Sequence, residues 1–373
     1  MGTEIIRVDP AGGSQEAIAR AADVLRSGGL VAFPTETVYG LGASVAHARA
    51  VDRLRELKAR PANKAFTVHV GSMEAALGFV PDPTGTARRL MRKAWPGPLT
   101  LVLDAPDPAA APALRDLEAE AATAVFYEGT VGLRYPDDAL AEALLRVVTV
   151  PVVAASANRA GQAPPSCGDD VLRELNGHVD LLLDAGRSRY AKPSTIVRVR
   201  ESRLQVLREG VLDARVIARM ATLRVLFVCT GNTCRSPMAA GFAGRMLADR
   251  LGCSERDLPD RGVQVASAGT AGGLGKANDH AVEVMASRGI DISGHQSAAL
   301  TVEQVHQADH IFVMTEAHRR HVEDMVSSAS LRVTMLLADR DLEDPIGGSR
   351  EEYEACAQAI EKGVAARLQE VVI

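Results

Sequence analysis

Between positions 14 and 27 the apolar residues Ala17, Ile18, Ala21, Val24 and Leu25 recur at three- and four-residue steps. That is the stripe of one helical face, and Gly28 followed by Gly29 closes it as a helix C-cap does. Residues 30–33 follow as a short apolar run, a buried strand stopped by Pro34. The same reasoning predicts strands over 99–103, 131–133, 147–155, 181–183 and 195–199, with a helix over 139–146. Residues 104–122, rich in Ala, Pro and acids, read as a surface insertion. A second beginning comes at residue 223. The apolar strand 224–228 runs into a compact loop, 229–236, and a helical pattern then extends from Pro237 to Leu251. Proline just inside a helix start is the favoured placement, and strand, tight loop and helix are how α/β domains open. The pattern predicts two α/β domains, 1–212 and 222–373, with 213–221 as a closing helix and linker.

Composition narrows the possibilities. Hydrophobic residues make up 47% and charged residues 24% of 373 positions, enough to fill two full-sized cores. No apolar run reaches the ~18 residues that cross a bilayer, and the start MGTEIIRVDP carries neither a secretory nor a myristoylation signal. Five scattered cysteines are too few for a disulfide scaffold and lack zinc-ligand spacing. The expectation is a cytoplasmic protein with no membrane partner. Residues 1–220 hold 27 basic against 26 acidic side chains, and the remainder 15 against 21. Neither balance favours strong direct nucleic-acid binding.

The loop Cys229-Thr-Gly-Asn-Thr-Cys-Arg-Ser236 carries the sharpest chemistry. So short a turn ahead of a helix must curl, aiming successive backbone N–H groups inward as an anion cradle. Arg235 adds a planar guanidinium fork for phosphate oxygens. The same positive field favours a thiolate at Cys229, which the Ser236 hydroxyl stabilises. Gly231 would supply an unusual backbone angle, and the Asn232 side chain would pin the loop. A phosphocysteine mechanism also needs an acid for the leaving group, for which Asp344, stiffened by Pro345 and followed by Gly347-Gly348, is the candidate. Asp341 reads as a nearby solvated turn residue.

Over residues 222–373 these features resemble the low-molecular-weight protein tyrosine phosphatase family. The matching motifs are VCTGNTCRSPMA, Ser267-Ala-Gly269, Gly289-Ile-Asp-Ile-Ser293 with His295, and Asp344-Pro345. The resemblance implies a Rossmann-like fold, a parallel sheet flanked by helices, and no tightly bound cofactor. It also implies Cys229 as nucleophile, Arg235 as phosphate clamp and Asp344 as general acid, with Thr230, Gly231, Asn232, Thr233, Cys234 and Ser236 completing the phosphate loop. Thr233 and the run Asp344-Pro-Ile-Gly-Gly-Ser349 are similar to the protein-arginine-phosphatase branch, although Ile346 stands where that branch usually has an aromatic residue. Phosphorylated proteins, through phosphoarginine, are the implied substrates. A phosphotyrosine phosphatase and an arsenate reductase are the alternatives. Cys234 is read either as a redox partner of Cys229 or as an inert buried thiol.

The first half offers three clusters. Pro34-Thr-Glu-Thr-Val-Tyr-Gly-Leu-Gly42 follows a buried strand, where its hydroxyls, Glu36 and Tyr39 suit a small polar ligand and its glycines allow close backbone approach. Lys58, Arg60 and Lys64 make a candidate polyphosphate clamp. Ser156-Ala-Asn158 is joined by Pro193-Ser-Thr195 and Arg208. Singly, each reads as well as a turn or a solvated face.

Together, over residues 5–212, they resemble the YrdC family of L-threonylcarbamoyladenylate synthases. PTETVYGLG, the K-x-R-P-x-x-K run, WPGPLTLVL, Thr130 to Arg134, SAN and PSTIV are all present. The resemblance implies a twisted mixed α/β sheet domain. The implied reaction converts L-threonine, bicarbonate and ATP, with Mg²⁺ accompanying the ATP, to threonylcarbamoyl-AMP and pyrophosphate. The product would feed the transferase machinery that modifies tRNA adenosine. Thr35, His69, Arg134 and Ser194 are the implied threonine positions. Lys58 joins Arg60, Lys64, Thr130, Ser156, Asn158 and Arg208 as the nucleotide positions. A nucleotide- or RNA-binding module without synthesis is the alternative. Longer synthases of the family carry an extra C-terminal domain, and here the phosphatase-like half stands in its place.

Overall fold

The computed structural model describes residues 2–8, 14–201, 203–273 and 275–373. The chain divides after Ala221 into two compact α/β units.

In the first unit, eleven strands among the described residues form one mixed sheet. Its order is β1 (Glu4–Arg7), β9 (Leu181–Asp184), β2 (Val31–Phe33), β3 (Gly40–Ser44), β8 (Val152–Ser156), β4 (Thr67–His69), β7 (Thr130–Arg134), β5 (Leu99–Asp104), β10 (Thr195–Arg200) and β11 (Arg203–Arg208). The two-residue β6 (Phe126–Tyr127) pairs beside β7. β2, β3, β8 and β4 run alternately antiparallel, whereas β4 with β7 and β5 with β10 are parallel. Helix Gln15–Arg26 buries the predicted stripe of Ile18, Ala21, Val24 and Leu25, and Gly28 follows with φ +83°. β3 packs so closely on β2 that a β-carbon at Gly42 would lie 2.9 Å from the Phe33 ring.

Two expectations change. The strand predicted over 147–155 begins only at Val152, because helix Ala139–Val147 continues the stripe Leu140, Ala141, Leu144, Leu145 to Val148 before Pro151 restarts the chain as strand. The supposed surface insertion 104–122 is partly core. It closes strand β5, buries Ala111 and Leu114, and enters helix Ala119–Val125. Residues 214–221 form a helix that buries Ile217 and Ala221 in the first unit's core.

The second unit is a four-stranded parallel sheet in the order β13 (Val263–Gly269), β12 (Leu223–Cys229), β14 (His310–Val313) and β15 (Val333–Met335). Apolar clusters cover both faces, one built on helices Arg235–Leu251 and Arg350–Gln369, the other around Val305, Val322 and Val326. The chain leaves β12 for one neighbour and later returns to pair on its other side. The carboxyl end of β12 is therefore the switch point at which open α/β sheets hold ligands.

Candidate active sites

A cavity of about 260 Å³ opens on the first sheet. Period-2 alternation supplies its wall: Thr67 and His69 of β4 face it, while Val68 between them is buried in the core. Of the eleven residues that the sequence marks, Lys58, Arg60, His69, Arg134, Ser156, Ser194 and Arg208 line this cavity. Thr35, Lys64, Thr130 and Asn158 do not. Thr35 stands behind Arg134, with its hydroxyl 3.3 Å from the guanidinium. The Thr130 hydroxyl donates to the Tyr127 carbonyl at 2.7 Å.

Arg134 is the electrostatic centre. Its Nη2 donates to Glu36 at 3.1 Å and to Thr37 at 2.5 Å, and both charged side chains are buried. Burial also pulls the arginine below its ordinary pKa, against the opposing effect of Glu36. Glu36 Oε1 and Arg134 Nε have no protein partner. Arg208 donates to the Ser194 carbonyl at 2.8 Å and to its hydroxyl at 3.1 Å, and Thr100 meets that hydroxyl at 2.9 Å. Thr100 was not singled out from sequence. Its signal was a lone hydroxyl among Leu99, Leu101 and Leu103, on the face opposite the core.

The cationic cluster is not three free charges. Lys58 caps helix Ala48–Leu57 and gives its ammonium to Ser156 O at 3.0 Å, Asn158 O at 2.7 Å and Asn158 Oδ1 at 2.9 Å. Burial lowers its pKa to about 8. It thus holds the Ser-Ala-Asn turn in shape, with Asn158 also donating to Arg159 O and Gln162 O. Arg60 bonds the carbonyls of Lys64 and Ala65 and lies over the Phe66 ring, 4.8 Å from its centroid.

Burial, then the charge of Arg134, lowers the His69 pKa from 6.5 to about 3. The unfolded chain therefore takes up a proton that the folded state refuses, and stability falls as pH drops from about 6.5 towards 3. In urea titrations, His69→Gln should lose less stability than wild type between pH 7 and pH 5, by on the order of 2 kcal/mol. Identical losses would contradict a buried, uncharged His69.

In the second unit the loop after β12 curls as predicted. The carbonyls of five successive residues turn outward: Cys229 accepts from Thr270 N–H, Thr230 from Ala271 N–H, Gly231 from the Ser297 hydroxyl, Asn232 from His295 Nε2 and Thr233 from Asn278 N–H, at 2.7–2.9 Å. With these carbonyls bonded outside, the amides between them face the hollow, the geometry of an anion nest. Gly269 on β13 makes room, because a β-carbon there would lie 2.5 Å from the Thr230 carbonyl. One expectation is corrected: the left-handed residue is Asn232, at φ +54°, and not Gly231. The loop tolerates this because the Asn232 side chain donates to Ser236 Oγ and Ser267 Oγ at 2.8 Å each and accepts from Ala298 N–H.

Ser236 Oγ, already accepting from Asn232, lies 2.9 Å from the Cys229 sulfur, and the Asn232 N–H points at the same sulfur from 3.3 Å. Arg235 donates to Leu342 O at 3.0 Å and to Thr230 Oγ1 at 3.3 Å, and it pairs with Asp344. Cys229, Arg235 and Asp344, which the sequence marks as nucleophile, clamp and acid and which lie up to 115 positions apart, are thus gathered around one loop. Cys234 is a buried free thiol 3.2 Å from the Tyr353 hydroxyl, and burial raises its pKa. Asp341 accepts from Glu316 N–H at the start of helix Glu316–Met325. The residue that sequence reasoning missed is His318, whose Nε2 meets Thr230 Oγ1 at 2.9 Å.

Residues 23–210 match the family model of the Sua5/YciO/YrdC proteins, described as "Telomere recombination". The chain belongs to this family. Residues 224–372 match the model described as "Low molecular weight phosphotyrosine protein phosphatase". Both families are families of enzymes, so the Sua5/YrdC domain is fused here to a phosphatase-type domain. A threonylcarbamoyl-AMP synthase of Pyrococcus abyssi is 32% identical over 231 residues, covering 61% of this chain and 64% of the relative. One of Bacillus subtilis is 35% identical over 194 residues, covering 52% and 53%. The chain thus spans between half and two thirds of the length of these curated relatives. The P. abyssi Sua5 structure complexed with L-threonine superposes with a TM-score of 0.52 at 20% identity, over 98% of each chain, a likeness of fold. The YwlE arginine phosphatase of Geobacillus stearothermophilus is 35% identical over 40% of this chain and 94% of that one, with a TM-score of 0.34. No helix among the described residues is long and apolar enough to cross a membrane.

Proposed function

We propose that this Sua5/YrdC-family chain is a bifunctional enzyme. The first unit forms L-threonylcarbamoyl-AMP and pyrophosphate from L-threonine, bicarbonate and ATP. The second removes phosphate from proteins, with phosphoarginine as the preferred substrate.

For synthesis, the supporting observation is the cavity that gathers Arg134, His69 and Ser194 together with Arg60, Ser156 and Arg208, the last bonded to Ser194. The threonine carboxylate pairs with Arg134, itself oriented by Glu36 and Thr37. The threonine amine and bicarbonate condense to a carbamate with loss of water, a carbamate oxygen attacks the α-phosphorus of ATP, and pyrophosphate leaves. Arg60 and Arg208 offset the charge that builds on the leaving group, so catalysis is by positioning and electrostatics, without an enzyme nucleophile. His69, uncharged near neutral pH, adds no second cation beside Arg134. Among the described residues no group of three or more His, Cys, Asp and Glu side chains converges as a metal cage. In the proposed reaction Mg²⁺ enters with ATP as part of the substrate.

For the phosphatase, the supporting observation is the Cys229 sulfur at the floor of a loop whose amides, together with Arg235, surround an oxyanion position. The sulfur attacks phosphorus in line, and Asp344 protonates the departing nitrogen or oxygen. The same carboxylate then takes a proton from the water that hydrolyses the phosphocysteine. Ile346, 62% exposed beside Asp344, offers no ring to stack on a phenol, which weakens a phosphotyrosine reading without selecting phosphoarginine. One feature favours a guanidinium-type substrate. A 380 Å³ hollow beside Ile346 is lined by Asp341, Glu343, Asp344 and Glu352 against Arg340 alone.

Thr233 stands in the loop as the small polar residue of the arginine-specific pattern. Thr233→Ile should shift the ratio of phosphoarginine to phosphotyrosine turnover by about tenfold towards phosphotyrosine, the scale of a changed pocket contact. Phosphate release from both substrates, side by side with wild type, tests this. An unchanged ratio would contradict the specificity.

A further inference from the structure

We propose that His318 is a positioning residue of the phosphatase centre: through the Thr230 hydroxyl it fixes the rim of the phosphate loop and the adjoining Arg235 fork. The inference rests on the phosphatase reading above. His318 lies on helix Glu316–Met325, 88 residues after Thr230, and is only 6% exposed. Its two ring nitrogens meet two hydroxyls, Nε2 at Thr230 Oγ1 (2.9 Å) and Nδ1 at Thr315 Oγ1 (2.8 Å).

The hydrogen bonds admit a consistent direction. Thr230 Oγ1 accepts from Arg235 Nη2, which leaves its own proton for Nε2. The imidazole then carries its hydrogen on Nδ1 and donates it to Thr315 Oγ1. That hydroxyl oxygen already accepts the His318 backbone N–H as the helix cap. An uncharged ring thus ties a helix terminus to the loop and, one bond further, to the clamp. Arg235 is also held by Leu342 O through Nη1 and by Asp344 through the same Nη2. Without His318 the Thr230 hydroxyl loses its partner outside the loop, while its carbonyl keeps the Ala271 N–H, and the oxygen that shares Nη2 with Asp344 is no longer fixed in direction.

Protonation would undo the arrangement. It would turn Nε2 into a donor facing a hydroxyl that must then redirect its proton, and it would place a cation beside Arg235. The charged groups that act on the ring are Arg235 on helix Arg235–Leu251, Asp341 and Asp344 in the acid loop, and His321 on its own helix. Burial, then Arg235, holds the ring at a pKa of about 4, so it stays uncharged through the neutral range.

The test uses the full chain with His318→Leu, His318→Asn, Thr230→Val and the Leu/Val double variant. Turnover of phosphoarginine and of para-nitrophenyl phosphate is measured from pH 5 to 8, and binding of inorganic phosphate by calorimetry. His318→Leu should lower kcat/KM about 10- to 100-fold and weaken phosphate binding in the same direction, the scale of a misplaced catalytic loop. His318→Asn, which keeps a polar group towards Thr230, should recover part of the loss. The double variant should be no worse than the poorer single one, because both break the same link. A His318→Leu protein with wild-type turnover and phosphate affinity, or additive losses in the double variant, would overturn the assignment. A wild-type chain that binds phosphate but turns over neither substrate would overturn the phosphatase reading instead, and calorimetry would still decide the role of His318.

Discussion

Replacing Arg134 by leucine should lower threonine-dependent pyrophosphate formation by about 10²–10³-fold, the effect of deleting a principal charge-stabilising donor. Arg134 lines the synthase cavity and is the cation that Glu36 and Thr37 hold there. The substitution also strands a carboxylate whose side chain is 1% exposed, at a cost of about 3–5 kcal/mol. Stability and catalysis are separable here. A Glu36→Leu/Arg134→Leu double variant removes both charges and should recover most of the stability, because a buried pair exchanged for apolar groups is close to neutral. It should recover none of the synthesis. Denaturant midpoints and pyrophosphate release on the three proteins check both halves. Full activity in the double variant would mean that Arg134 serves only the fold.

Cys229→Ser should abolish phosphate release, by about 10⁴–10⁶-fold, as deletion of a nucleophile does. The serine hydroxyl would occupy the same floor of the loop, with Ser236 and the Asn232 N–H around it, but it lacks the ready ionisation of a thiol. Threonylcarbamoyl-AMP synthesis should stay within about twofold of wild type, since each unit has its own hydrophobic core and its own cavity. Phosphate release and pyrophosphate release from one preparation separate the outcomes. A joint loss would show that the two units depend on one another for activity.

What could be read from sequence follows the distance between interacting residues. The loop 229–236 was legible because the proposed nucleophile, cradle and clamp are one short peptide set between an apolar strand and a helix, a context that the bare spacing of Cys229 and Arg235 does not supply. The synthase cavity was legible only through the family resemblance. Its residues come from strands β3, β4, β5, β7, β8, β10 and β11 and from the segments after helix Ala48–Leu57 and before β10, and no spacing rule connects Lys58 with Ser156, 98 positions away. The same limit hid His318, which reads in sequence as one more polar residue of a charged helix. Local ambiguity explains the other misses. At 147–155 a continuing helical stripe and a strand-like apolar run overlap, and only Pro151 marks the change. In the phosphate loop, glycine at 231 drew the expectation of a left-handed residue, whereas the bonds of the Asn232 side chain hold the neighbouring position there. Lys58 reads from sequence as a phosphate clamp, and in the fold its ammonium braces the Ser-Ala-Asn turn.

The claim that two separate chemistries share this chain is tested most directly by phosphorus NMR of one sample. The full chain is incubated with MgATP, L-threonine, bicarbonate and a phosphoarginine protein. Pyrophosphate and an adenylate should accumulate only while threonine and bicarbonate are both present, and inorganic phosphate should grow at the expense of phosphoarginine whether or not they are. ATP that stays intact under all conditions, or orthophosphate that arises from ATP alone, would contradict the account.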